Sequence, residues 1–78
     1  MEKRKLYEIA KEIKADWTNI DEYALAYLEP MFELSSIDDK YYLDTGKSVV
    51  LYFLANAQTW RGETAKRVKA ELKEMAGI

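Results

Sequence analysis

Residues 49–60, VVLYFLANAQTW, constrain the fold of this chain more tightly than any other stretch. Val49, Val50, Leu51, Phe53 and Leu54 leave almost no polar face, so the segment must be enclosed on most sides. Its β-branched and aromatic content would also suit a buried strand. Six residues cannot separate the two by period alone. Gly46, Val49, Val50, Phe53, Ala57 and Trp60, however, fall on one face of a 3.6-residue repeat, and no second strand is available to pair with. A helix over 45–59 is therefore predicted, with Asp44 as its N-cap, and its apolar circumference makes it the central helix of the domain.

The rest of the chain supplies helices to surround it. Leu6, Ile9, Ala10, Ile13 and Trp17 form one stripe, predicting a helix over 3–16 closed by a core tryptophan. Thr18 or Asn19 reads as the next N-cap, with Asp21 or Glu22 three residues on. The second helix is predicted over 20–34. Ile20, Tyr23, Ala24, Tyr27, Met31 and Leu34 line its inner face, and Glu22, Glu29 and Glu33 the outer one. Leu25, Leu28 and Phe32 widen the apolar face, which implies burial on two sides or a patch left for a partner. Pro30 interrupts this helix by removing one backbone donor. Because the stripe runs on to Leu34, a kink is expected there rather than a break. Residues 35–43 read as a loop. After Arg61-Gly62 a last helix over 62–76 carries Ala65, Val68, Leu72 and Met75 inward, with Glu63 and Arg67 as an i, i+4 pair. The fold class expected is thus all-α, a single domain of four helices over 1–78.

Composition narrows function mainly by exclusion. The 78 residues contain no cysteine and no histidine, so there is no thiolate zinc site and no imidazole base or ligand. A non-enzymatic protein is expected, without cofactor or metal. No apolar run approaches the ~20 residues of a membrane span. The basic start, Lys3, Arg4 and Lys5, is followed by interspersed charge and does not read as a signal peptide, so the cytoplasm is the expected location. The net charge of −2 is unevenly spread, with basic ends and an acidic middle. Either neighbouring elements neutralise one another, or a two-signed surface faces a partner.

Three motifs invite chemistry. Thr45-Gly46-Lys47-Ser48 matches the end of a phosphate-binding loop, but Tyr41 stands where the earlier glycine belongs and no strand precedes it. Asp38, Asp39 and Asp44 lack the alternation, glycine and terminal glutamate of a calcium loop, and fit capping and turns better. Arg61, Lys66, Lys69 and Lys73 could contact phosphates, and two helices joined through Gly62 resemble a helix-turn-helix. Against that, the first turn, Gly62-Glu63-Thr64, offers no base-reading donors. Trp60-Arg61 is the sharpest local feature, since both residue types are enriched in binding hot spots. With Tyr41, Tyr42 and Tyr52 they could form an aromatic-basic patch. The alternative is that Trp60 packs over the turn while Arg61 caps the preceding helix.

The quoted segments together resemble a family of small uncharacterised proteins from prophages, phages and plasmids of Gram-positive bacteria. The matching residues are Ile9-Ala10, Glu12-Ile13, Asp16-Trp17, Tyr27-Leu28, Met31, Ser48, the run 49–54, Asn56-Ala57, the run 60–63, Ala65 and Arg67. Two positions depart from the pattern. Pro30 replaces a helix-friendly residue and Tyr42 replaces glycine, which leaves helix continuity and loop geometry open. The resemblance implies no activity, substrate or cofactor. It implies a mobile-element context, in which small proteins act by binding other proteins or nucleic acid. The expectation is protein–protein contact through Tyr41, Tyr42, Trp60 and Arg61. The alternative is nucleic-acid binding through Arg61, Lys66, Lys69 and Lys73.

Overall fold

A computed structural model describes residues 4–78. Four helices and one two-stranded hairpin are present among the described residues, in the order α1 (Leu6–Asp16), α2 (Glu22–Met31), β1 (Lys40–Tyr41), β2 (Asp44–Thr45), α3 (Gly46–Ala55) and α4 (Glu63–Ala76). The chain is therefore mostly helical but not strictly all-α. The expected start of the first helix at Lys3 lies outside the described residues. In the structure Lys5 is the N-cap, and the Glu8 side chain accepts from its backbone N–H at 2.8 Å.

The predicted core stripes are those that pack. Leu6, Ile9, Ala10, Ile13 and Trp17 are buried, as are Gly46, Val49, Val50, Phe53, Ala57 and Trp60, and Ala65, Val68 and Leu72. The segment with two candidate structures is a helix. It is shorter than 45–59, because the Asn56 side chain donates to the Tyr52 carbonyl at 2.9 Å and closes the helix there. Ala57 and Trp60 reach the core from the following turn. The N-cap is Thr45, whose hydroxyl accepts from the Ser48 N–H, and not Asp44. The cap lies one residue later than expected, at the last residue of β2, where the chain passes directly into α3.

The second helix departs further from expectation. Asp21 caps it by accepting from the N–H groups of Tyr23 and Ala24, so Thr18 and Asn19 belong to the preceding turn. It includes Pro30 but stops one residue later, so the helix expected to continue with a kink to residue 34 is not found. It ends at Met31 in a tightened turn, with N–H groups of Phe32, Glu33 and Leu34 each bonding three residues back. That is the ordinary way a helix closes when a proline has removed a donor near its end. The inward face is Ala24, Leu28 and Met31, while Tyr23 is 66% exposed and Tyr27 half-buried.

Residues 35–43 were expected to be a loop, but the hairpin takes up the second half from Lys40, and the remaining connector, 35–39, is a loop with a structural task. The Ser35 and Leu34 carbonyls accept from the first amides of α1, Leu6 and Tyr7, at 3.0 Å each. The Asp39 and Ile37 carbonyls accept from Gly46 and Lys47, the first amides of α3, at 2.7 and 2.9 Å. Helix N-termini leave such donors without internal partners, and here one segment, 34–39, satisfies four of them on two helices. Asp39 holds the connector in shape by accepting from the Ser35 and Ser36 N–H groups. Those amides keep its carboxyl below the usual aspartate range.

Candidate functional site

Trp60, the residue placed first for partner binding, turns inward. It is 2% exposed. Its ring stacks on Trp17 at 5.7 Å and 9°, and both tryptophans meet Phe53 edge-on. Its indole N–H donates to Asp16 Oδ2 at 2.9 Å. A tryptophan with its ring stacked and its N–H satisfied is a core residue. The hot-spot signal at Trp60-Arg61 thus comes from a packing residue beside an exposed cation. Arg61 does not cap α3, a role taken by the Asn56 side chain. It lines a polar cleft of about 340 Å³ with Thr18, Asn19 and Thr59, and makes no ion pair among the described residues.

Lys69 also leaves the free surface. Its ammonium donates to the Trp60 carbonyl at 2.6 Å and lies 5.9 Å over the Trp60 ring. Partial burial lowers its pKa, and the positive charges of Lys73 and Arg61 lower it further. The predicted cationic flank therefore divides. Lys69 holds the α3–α4 turn, while Arg61, Lys66 and Lys73 remain exposed and unpaired among the described residues. The glutamates of α2 do not neutralise them.

Ion pairing goes elsewhere. Glu12 on α1 binds both Arg4, at 2.8 Å, and Arg67 on α4, and Arg4 grips Glu71 through two hydrogen bonds of 3.0 and 2.6 Å. Arg67 therefore serves a distant helix and not its local neighbour Glu63. The Glu71 carboxylate, its main hydrogen-bond partner, raises the Arg4 pKa. The Arg67 hydrogen bond lowers the Glu12 pKa, burial opposes it, and Arg4 adds to the lowering. A carboxylate depressed in the folded state stabilises above its unfolded pKa, and that contribution is lost as pH falls through the folded value. Thermal stability should hold steady near neutrality and decline below about pH 4.5, the ordinary range for glutamate. Melting curves of Glu12→Gln should show less of that acid decline. An identical pH profile in the variant would mean the network adds nothing.

Tyr41 and Tyr42 do come together, on the hairpin. The register pairs Lys40 with Thr45 and Tyr41 with Asp44, leaving Tyr42 and Leu43 as a two-residue turn. The rings of Tyr41 and Tyr42 meet edge-on at 4.8 Å. Partial burial raises the Tyr41 phenol pKa, and the carboxylates of Glu33 and then Glu29 on α2 contribute. Tyr42 is 85% and Leu43 100% exposed. Tyr52 is not part of this group, since it stacks on Tyr27 at 5.2 Å.

Tyr42 has φ +57°, the only positive φ among the described non-glycine residues. Two-residue hairpins favour a positive φ at the first turn position, and glycine is the residue that adopts it freely. A glycine at this position would fit without strain. Tyr42→Gly should therefore raise stability by about 1 kcal/mol, the usual cost of an L-residue in that conformation. A lower midpoint in chemical denaturation would show that the tyrosine ring contributes more than its backbone costs.

Leu43 escaped sequence reasoning, because a single leucine in a polar loop carries no periodic signal. Among the described residues no group of three or more acidic side chains is placed to hold a metal, and no helix is long and apolar enough to cross a membrane. Comparison of the chain with protein-family models, curated proteins and solved structures gives no match.

Proposed function

We propose that this chain is a non-enzymatic accessory protein of a bacterial mobile genetic element, cytoplasmic, acting by protein–protein contact through the hairpin tip. In this reading α3 is the axis of the domain and the hairpin is its presented element. The observation that carries it is the tip itself, where two large apolar side chains stand in solvent on a backbone that is strained at Tyr42. Strain of this kind collects at binding elements, where the surrounding structure holds it in place. Tyr41 braces Tyr42 from below, and Trp60 supports the scaffold without touching a partner. The test is capture from a nuclease-treated host lysate, comparing the natural chain with Tyr42→Gly and Leu43→Ser. Proteins retained by the natural chain and lost by both variants support the reading. An unchanged set overturns it.

A second reading, nucleic-acid binding, rests on Arg61, Lys66 and Lys73. These three cations are exposed and, among the described residues, make no ion pair, and two of them, Lys73 and Arg61, help lower the pKa of Lys69. Surfaces that bind phosphate backbones leave cations uncompensated in this way. Mobility-shift assays at low salt should then show binding by the natural chain that weakens in Lys66→Glu/Lys73→Glu. Failure of duplexes and single strands to bind at micromolar protein would remove this reading.

A further inference from the structure

The hairpin tip has a counterpart on the same molecule. Between the end of α1 and the outer side of α2 lies a groove of about 430 Å³ whose apolar lining is Trp17, Ile20 and Leu25. Lys14 and Glu29 line it as well. The tip, Tyr42-Leu43, is flanked in turn by Lys40 on β1 and Asp44 on β2. A protruding apolar pair flanked by one cation and one anion thus meets an apolar groove that offers one anion and one cation in return. None of these four charged residues makes an ion pair among the described residues.

We propose that the tip docks a second copy of this chain, inserting Tyr42 and Leu43 between Trp17, Ile20 and Leu25 of the partner with Asp44 facing Lys14 and Lys40 facing Glu29. The proposal rests on the reading of the tip as a docking element and adds what it docks. Because tip and groove belong to the same chain, each copy gives a tip and receives one in a closed two-fold dimer with a single shared patch. Insertion also covers the one fully exposed leucine, which a monomer leaves in water.

Sedimentation equilibrium from micromolar to submillimolar protein tests this on the intact chain. The natural chain should reach a dimer that weakens with added salt, because the charge pairs are screened. Leu43→Ser should weaken dimerisation by at least about tenfold, since re-exposing one leucine site costs roughly 1.5 kcal/mol or more. Tyr42→Gly should weaken it as well while stabilising the monomer, a combination that misfolding cannot produce. Asp44→Lys and Lys14→Glu should each weaken it, and the two together should recover it. A natural chain that stays monomeric overturns the proposal, as does a dimer that survives both tip variants or a charge swap without recovery. If the chain is monomeric but still captures lysate proteins through Tyr42 and Leu43, self-docking fails and the docking role of the tip stands.

Discussion

Gly46→Ala should destabilise this protein by about 2–4 kcal/mol and lower its melting temperature by roughly 10 °C or more. At most helical positions the same change is favourable by about 0.5–1 kcal/mol. The sign reverses here because a Cβ on Gly46 would lie 2.4 Å from the Ser36 carbonyl oxygen and 3.0 Å from that of Ile37. Both are backbone atoms of the connector and have no rotamer by which to withdraw. Moving them would also disturb the carbonyls that receive the Gly46 and Lys47 amides. Thermal melts followed by circular dichroism decide the matter. A variant as stable as the natural chain would place the connector farther from α3 than the structure has it. Gly46, the glycine of the phosphate-loop look-alike, thus has a packing role, bringing two backbones together.

Trp60→Ala should remove about 3–5 kcal/mol, the usual cost of deleting a large buried aromatic side chain. A 78-residue domain has only about 4–12 kcal/mol to lose, so this variant should give up at least about a quarter of its stability and, toward the lower end of that range, unfold at room temperature. Three losses combine: the stack on Trp17, the edge contact with Phe53, and the hydrogen bond to Asp16. Trp60→Phe separates them. It keeps most of the ring packing and frees Asp16, which is exposed and can turn to water, so a loss of about 1 kcal/mol is expected. Denaturant titrations of the two variants make the comparison. Stability equal to the natural chain in Trp60→Ala would contradict the burial of the ring and return Trp60 to the surface.

The helical core was legible because period carries it. The stripes of α1, α3 and α4 recur every three or four residues, and the side chains they mark are those that pack. Boundaries were harder to read where several capping residues lie close together. Thr18, Asn19 and Asp21 all suit an N-cap, as do Asp44 and Thr45, and tertiary contacts chose among them. The hairpin was invisible because a two-residue strand has no alternation to detect, and Tyr42 hid the turn by occupying a position that glycine usually marks. Tyr41 and Tyr42 were identified as candidate surface residues and do lie together. Trp60 was mistaken because composition reports which residues bind well and says nothing about which way a ring points after a turn. The links from Glu12 to Arg67 and from Arg4 to Glu71 join residues more than fifty positions apart, and no local pattern in the sequence reaches that far.

The connector, taken with Leu34 before it, also sets how the native state opens. Its carbonyls hold the leading amides of α1 and α3, so neither helix start can release its hydrogen bonds while the connector stays in place. Amide protons of Leu6, Tyr7, Gly46 and Lys47, although drawn from opposite halves of the chain, should exchange with solvent through one shared opening and at similar free energy. Asp39→Asn should accelerate all four together in native-state hydrogen exchange, with the middle of α4 left slower. Independent rates for the two helix starts would mean that each is anchored on its own. Shared exchange makes the first helix and the third one cooperative unit, joined through a strap, residues 34–39, that belongs to neither.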